Sequence, residues 1–291
     1  MATGRVSSVW RYPAKSMMGD AFDALVLGEA GVIGDRGWAV RDEVRGGIRG
    51  AKKIGSLMRL HARYLEEPEV GKPVPAIEIT TPDGDRVRSD DADVNDRLSA
   101  FLDHPVSLWP LQPPTDLDHY RRGAADSDDL MTELMGIFGR EPGEPLPTFE
   151  GLPMDVLMEY ESPPGSYFDA FPILLVTNRS LASLAEFAPG SSFDPRRFRP
   201  NVVIDTETNG ANEASFPEQE WIGRRVTVGE VEFEVTATCP RCVMVTRDFG
   251  DLPEDRQVLR TIVKHADQNV GVYATVVRPG TIRAGDEVAI D

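Results

Sequence analysis

Little in this 291-residue chain is basic: 31 Lys and Arg stand against 48 Asp and Glu, a net charge of −17. Repulsion on that scale sets nucleic acid aside unless a basic face is concentrated somewhere. Long apolar runs are missing too. The longest, such as Ile173–Val176 and Val243–Val245, fall far short of the roughly 20 residues that a membrane-spanning helix needs. The opening Met1-Ala2-Thr3-Gly4-Arg5-Val6 lacks the apolar centre of a signal peptide. A cytoplasmic protein with neither a nucleic-acid nor a membrane partner is therefore expected. Internal repeats and low-complexity tracts are absent. Hydrophobic residues make up 41%, enough for a packed core in one large or two modest domains.

What is basic is gathered. Only five cations are lysine (Lys15, Lys52, Lys53, Lys72, Lys264), and the arginines cluster at Arg196-Arg197-Phe198-Arg199 and Arg224-Arg225, with Lys52-Lys53 as a further pair. Such clusters form an anion site when they face one space, and are solvated surface charges when they do not.

Up to about Trp109 the chain reads as short apolar segments broken by turn formers: Val6–Tyr12, Ala24–Leu27, Gly37–Arg41, Arg63–Leu65 and Ala76–Thr80, with a turn at Pro82-Asp83-Gly84. Asp93–Leu102 is the expected helix there, its stripe being Val94, Leu98, Phe101 and Leu102. Residues 112–164 form a connector rich in Pro, Asp and Gly. In it, Ser127 is placed to cap a short helix whose Leu130, Met131, Leu134 and Phe138 share a face that is read as core, closed by Gly139. Further on, strands are expected at Ile173–Val176, Arg199–Asp205, Val226–Val228, Val231–Val235, Val243–Thr246, Gly271–Val277 and Glu287–Ile290. Helices are expected from Asn178 and over Pro253–Asp267. The fold class is mixed α+β and β-rich: a β-barrel-like unit over 1–111, the connector, and a second barrel with a few helices over 165–291.

The two cysteines, Cys239 and Cys242, form a C-x-x-C pair. A redox dithiol would put the first cysteine at a helix N-terminus after a strand, but the β-branched and apolar Val243-Met244-Val245-Thr246 favours a strand. A zinc site would need two more ligands, and the four histidines are scattered singly. Two buried structural thiols are the plain alternative. Arg241 and Arg247 bracket the pair and favour a thiolate, which suits a soft metal.

Several motifs stand in order along the chain: Tyr12-Pro13-Ala14-Lys15-Ser16, Gly34-Asp35-Arg36-Gly37-Trp38, Asn178-Arg179-Ser180-Leu181, Arg197-Phe198-Arg199-Pro200-Asn201 and Trp221-Ile222-Gly223. Cys239-x-x-Cys242 and the closing Arg278-Pro279-Gly280-Thr281-Ile282 followed by Gly285-Asp286 complete the series. Together they resemble the MOSC (molybdenum cofactor sulfurase C-terminal) family with its N-terminal β-barrel domain. The resemblance implies a molybdenum-pyranopterin cofactor, with Cys242 as the thiolate ligand of the metal and the catalytic residue. Lys15, Ser16, Arg36, Arg197, Arg199 and Asn201 match positions that hold the cofactor, and Thr177 and Ser180 would add donors to its anionic end. The implied activity is reduction of small N-hydroxylated compounds, as in the mitochondrial amidoxime-reducing component and related bacterial reductases.

Two departures bear on that activity. After Cys242 the chain reads Val245-Thr246-Arg247-Asp248-Phe249-Gly250-Asp251-Leu252 where the reductases have a Thr- and Pro-bearing loop, so substrate preference does not carry over. A ferredoxin-like extension with further cysteines is lacking, so electrons are expected from a separate protein of ferredoxin, flavodoxin or cytochrome type. Two rival readings stay open: a cofactor or sulfur carrier with a persulfide on Cys242, and pyridoxal-phosphate binding at Lys15. The latter rests only on the family's association with sulfurases, and Lys15 is better explained as a phosphate contact.

Overall fold

The computed structural model describes residues 2–206 and 215–291. In the N-terminal part the strands are β1 (Ala2–Arg11), β2 (Asp20–Phe22), β3 (Ala24–Gly28), β4 (Gly31–Val32), β5 (Trp38–Asp42), β6 (Ile48–Arg49), β7 (His61–Tyr64), β8 (Ile77–Thr80), β9 (Arg86–Arg88) and β10 (Val106–Pro110). The remainder supplies β11 (Ile173–Thr177), β12 (Val202–Thr206), β13 (Arg225–Val228), β14 (Val231–Pro240), β15 (Asn269–Arg278), β16 (Gly280–Arg283) and β17 (Glu287–Ile290). The helices are α1 (Val94–Leu102), α2 (Leu117–Tyr120), α3 (Leu130–Phe138), α4 (Met154–Glu159), α5 (Asn178–Phe187) and α6 (Arg256–His265). None of them is long and apolar enough to cross a membrane.

The centre is a closed barrel in the order β12-β11-β15-β14-β13-β17-β1, sealed by antiparallel pairing of β1 with β12. Its staves follow the period-2 rule. In β14, Val231, Phe233, Val235, Ala237 and Cys239 are buried while the residues between them face outward or lie half-buried. The interior holds Val226, Val272 and Ala274 in the same cluster. Although β1 lies at the start of the chain, it is a stave of this barrel. The sheets β10-β5-β6 and β7-β8-β9 pack with α1 around a second core. That core also takes Met244, Phe249 and Leu252, so the segment after Cys242 fastens the two parts together.

Helices α5 and α6 cover the outside of the barrel through Leu181, Leu184, Val258, Leu259 and Ile262. Each such side chain contributes roughly 1.5–3 kcal/mol on burial. Thr177 caps α5 and Asp255 caps α6, and α6 is confined to Arg256–His265 by that cap, shorter than expected.

Three expectations need correction. Val243–Thr246 is a 3₁₀ turn rather than a strand. Its β-branched residues are overridden because Met244 enters the N-terminal core while Val245 enters the core beneath α5 and α6. The strand expected from Arg199 begins at Val202, because Arg199 sits at φ 56°, in the left-handed region. In the connector, Asp129 rather than Ser127 caps α3, accepting from the Thr132 amide. Gly139 ends α3 at φ 57°, where a Cβ would meet Leu259 Cδ2 at 2.9 Å.

Candidate functional site

Strand β14 delivers Cys239 and Pro240 at its end, and Cys242 opens the 3₁₀ turn that follows. The two thiols part company here. Cys239 is 2% exposed in the core beneath α6 and reaches only the smaller of two cavities, and burial pushes its thiol up. Cys242 is half-buried and lies where two cavities meet. Burial pushes its thiol up, against the pull of the Lys52 charge.

The smaller cavity, of 60 Å³, is lined by Arg36, Arg197, Arg199, Asn201 and Arg241 as well as Cys242. The sequence motifs around positions 36 and 197–201 thus converge with the cysteine. Asp35 is the hub that sets them. It accepts from the Tyr12 amide at 2.8 Å and from Asn201 Nδ2 at 3.0 Å, and it pairs with Arg36. Asn201 Oδ1 in turn accepts from the Leu174 amide at 3.1 Å, tying β11 to the site. Arg199 donates to the Met17 and Ala14 carbonyls and stacks over Tyr12 at 4.2 Å. Burial pulls its guanidinium down to about 10, which leaves it charged at neutral pH. Arg36 and Arg199 both occupy left-handed backbone, at φ 51° and 56°. That conformation costs roughly 1–2 kcal/mol each and is held here by the bonds just named.

Other expected residues are committed elsewhere. Arg197 lines the cleft, but its guanidinium binds four backbone carbonyls: Ser192 at 3.0 Å, Val245 at 3.2 Å, Arg247 at 2.9 Å and Pro253 at 2.8 Å. Ser16, at φ 66°, accepts from the Ala51 amide at 2.9 Å. Lys15 is buried and lines neither cavity. Its ammonium reaches Ser162 Oγ at 3.2 Å, the Tyr167 carbonyl at 2.9 Å and Asp169 Oδ1 at 3.0 Å. Thr177 and Ser180 give their hydroxyls to the buried Glu218 carboxyl, Thr177 at 2.6 Å and Ser180 at 2.5 Å. They line neither cavity with Cys242.

Glu218 yields a pH prediction. Burial raises its carboxyl above the ordinary 4.5, against the bonds from Ser180 and Thr177. A folded-state pKa above the unfolded one means that the folded form holds the proton longer. Stability from this group is therefore greatest below the unfolded value and falls as pH rises through the folded one. Glu218→Gln is expected to cancel that loss, so its stability relative to wild type should improve between pH 4 and pH 8 in urea titrations. A pH-independent difference would refute the assignment.

The larger cavity, of 330 Å³, is also lined by Cys242. Lys52, Asp169 and Tyr273 line it too, as do Leu134, Phe138 and Leu157 of the connector. Burial alone would raise the Asp169 carboxyl, but the charges of Lys15 and Lys52 overcome it and hold the group well below the carboxylate range. Asp169 bonds Lys15 at 3.0 Å and Lys52 at 3.3 Å. Asp169 and Tyr273, which line both cavities, are not singled out by sequence reasoning; neither sits in a motif. Lys52 had a signal, its pairing with Lys53 on an acidic background, and Arg241 had one as a neighbour of the cysteines.

The donor set suits a pyranopterin-bound soft metal. Cys242 offers one sulfur, which a bound metal would hold as the thiolate, and among the described residues no group of three or more His, Cys, Asp or Glu is placed to hold a metal. A metal held at Cys242 would therefore take its other ligands from a cofactor. The guanidiniums of Arg36 and Arg199 suit a phosphate. The small cleft alone holds little more than a few waters, so the ring system would also occupy space on the Cys242 side of the larger cavity.

Comparison with known proteins supplies the family. The MOSC domain matches residues 164–289 and the MOSC N-terminal beta barrel domain matches residues 3–109. The chain is 36% identical over 93 residues to molybdenum cofactor sulfurase 3 of Aedes aegypti, covering 31% of this chain and 11% of that protein. It is 29% identical over 140 residues to mitochondrial amidoxime-reducing component 1 of Mus musculus, covering 42% of this chain and 37% of the relative. The match therefore spans well under half the length of either relative. A solved structure, the YuaD protein from Bacillus subtilis, aligns over 99% of this chain and 95% of its own at 12% identity and a TM-score of 0.44.

Proposed function

From the premise that this chain belongs to the MOSC family, with a MOSC N-terminal β-barrel domain before the MOSC domain, we propose that it is a molybdenum-cofactor oxidoreductase acting on N-hydroxylated compounds. The observation that carries the reading is the position of Cys242, a half-buried thiol where an arginine-lined cleft meets a roomy cavity. Similarity to amidoxime-reducing components supports the substrate class, and similarity to molybdenum cofactor sulfurases supports the cofactor.

Bound molybdenum would supply the redox centre at which the N–O bond is reduced. The chain's own residues do the rest. Cys242 would ligate the metal and Arg36 and Arg199 would hold the cofactor's anionic end; Asp35, itself held by Asn201, orients Arg36, and the Met17 and Ala14 carbonyls orient Arg199. Lys15 fixes Asp169 and Arg197 fixes the turn after Cys242, so both act by positioning. Thr177 and Ser180 instead hold the Glu218 carboxyl at the β11–α5 junction. The overall change consumes two electrons and two protons per N-hydroxyl group and gives water with the amine from a hydroxylamine or the amidine from an amidoxime. A separate donor protein of ferredoxin, flavodoxin or cytochrome type would bring the electrons.

The test is to make the full chain in a cofactor-competent host, measure molybdenum, and assay anaerobic reduction of benzamidoxime with an artificial donor. Molybdenum near one per chain with amidine formation is the expected result. Protein without molybdenum but with a one-sulfur mass gain on Cys242 would overturn it in favour of a sulfur carrier.

A further inference from the structure

The connector helices are unusual for apolar elements. Helix α3 has no buried residue although its Leu130, Leu134, Ile137 and Phe138 are apolar, and α4 has none either. The face of α3 that its spacing marks as core lies outside the hydrophobic clusters of the protein. Leu130, Leu134, Ile137 and Phe138 instead line the 330 Å³ cavity that Cys242 also lines.

The cations on that cavity are all spoken for. Lys53 pairs with Asp126 at 2.9 Å and with Glu133, Arg122 with Glu161 at 2.6 Å, Lys52 with Asp169 at 3.3 Å, and Arg49 with Asp42 at 3.4 Å. A charged ligand would have to break one of these half-buried pairs or leave its own charge unpaired against an apolar wall, and either is costly. A neutral apolar body meets no such penalty and gains from leaving water.

We propose that this cavity is the substrate chamber, and that it selects uncharged molecules with an aryl or alkyl body, seated on the connector helices with the reacting N–O group toward Cys242. This rests on the reductase reading for the identity of the reacting group. The selection itself rests on the cavity wall. Leu134 and Phe138 are then specificity-determining residues, and the connector is the part of the chain that sets substrate range. The departure of the sequence at 245–252 fits this placement, since Phe249 and Leu252 of that loop are buried in the N-terminal core and not on the chamber wall.

The experiment measures binding of para-alkyl benzamidoximes of increasing length, with para-carboxylate and para-trimethylammonium analogues, to the full chain as metal-free protein and as molybdenum-loaded protein. Calorimetry or ligand-observed NMR gives the affinities, and KM is followed in the loaded form. Affinity is expected to rise roughly fourfold per added methylene until the chamber is full, with both charged analogues at least about tenfold weaker than their neutral counterparts. Leu134→Asp should flatten the series while Leu134→Met preserves it. Met158→Asp, at a 56% exposed position on the same wall, tests the point without threatening the fold. A flat series, or equal affinity for charged analogues, overturns the inference. Loaded, active enzyme with a flat series fails the inference alone; selective binding by protein that never acquires molybdenum fails the reductase reading alone.

Discussion

Cys242→Ala is expected to strip molybdenum from the protein, to below about a tenth of the wild-type content, whereas Cys239→Ala should keep most of it. Removing residues that only support a metal ligand costs 10–100-fold in metal affinity, and removal of the one protein ligand costs more. Geometry separates the pair. Cys242 is half-buried and opens on both cavities, while Cys239 lines only the smaller one and lies 2% exposed in the core beneath α6. Metal analysis of the two variants beside wild type decides it, and full molybdenum content in Cys242→Ala would sink the ligand assignment.

Arg197→Ala should destabilise the cofactor-free protein by about 3–5 kcal/mol, because a buried charged donor is lost and its acceptors are stranded. At 1% exposure, Arg197 holds the carbonyls of Ser192, Val245, Arg247 and Pro253 together. For a chain of this size that loss corresponds to roughly a 5–8 °C fall in Tm. Arg197→Lys should recover less than half, since an ammonium cannot replace the planar fork. Thermal melts of metal-free protein are the measurement. An unchanged Tm there, with loss only of cofactor affinity, would show that Arg197 binds ligand and does not hold the turn.

Much of the architecture is legible in the sequence because it obeys local rules. The alternation Val231, Phe233, Val235 gives β14, Thr177 gives the start of α5, and Gly139 gives the end of α3. What is not legible depends on distant partners. Val243–Thr246 has strand propensity, yet Arg197 captures two carbonyls in and just after it and two cores divide its side chains. The apolar stripe of α3 is indistinguishable from a core stripe by periodicity, since a cavity wall and a core wall require the same spacing. The site was partly legible: the motifs around Arg36, Arg199, Asn201 and Cys242 meet, but nothing local reveals that Lys15 is spent on Asp169, or that the Thr177 and Ser180 hydroxyls are spent on Glu218.

Strand β1 also governs the order in which the molecule can assemble. It pairs with β17 through contacts such as Ala2 with Ala289, and Arg5 bonds Glu287 across 282 positions of chain. Pairings of such sequence separation raise contact order and slow folding. On the ribosome the first stave to emerge must wait for the last before the barrel closes, and until then its edge stays open to other strands. The fold therefore commits late, and a chain stalled before β17 would carry an unsealed barrel.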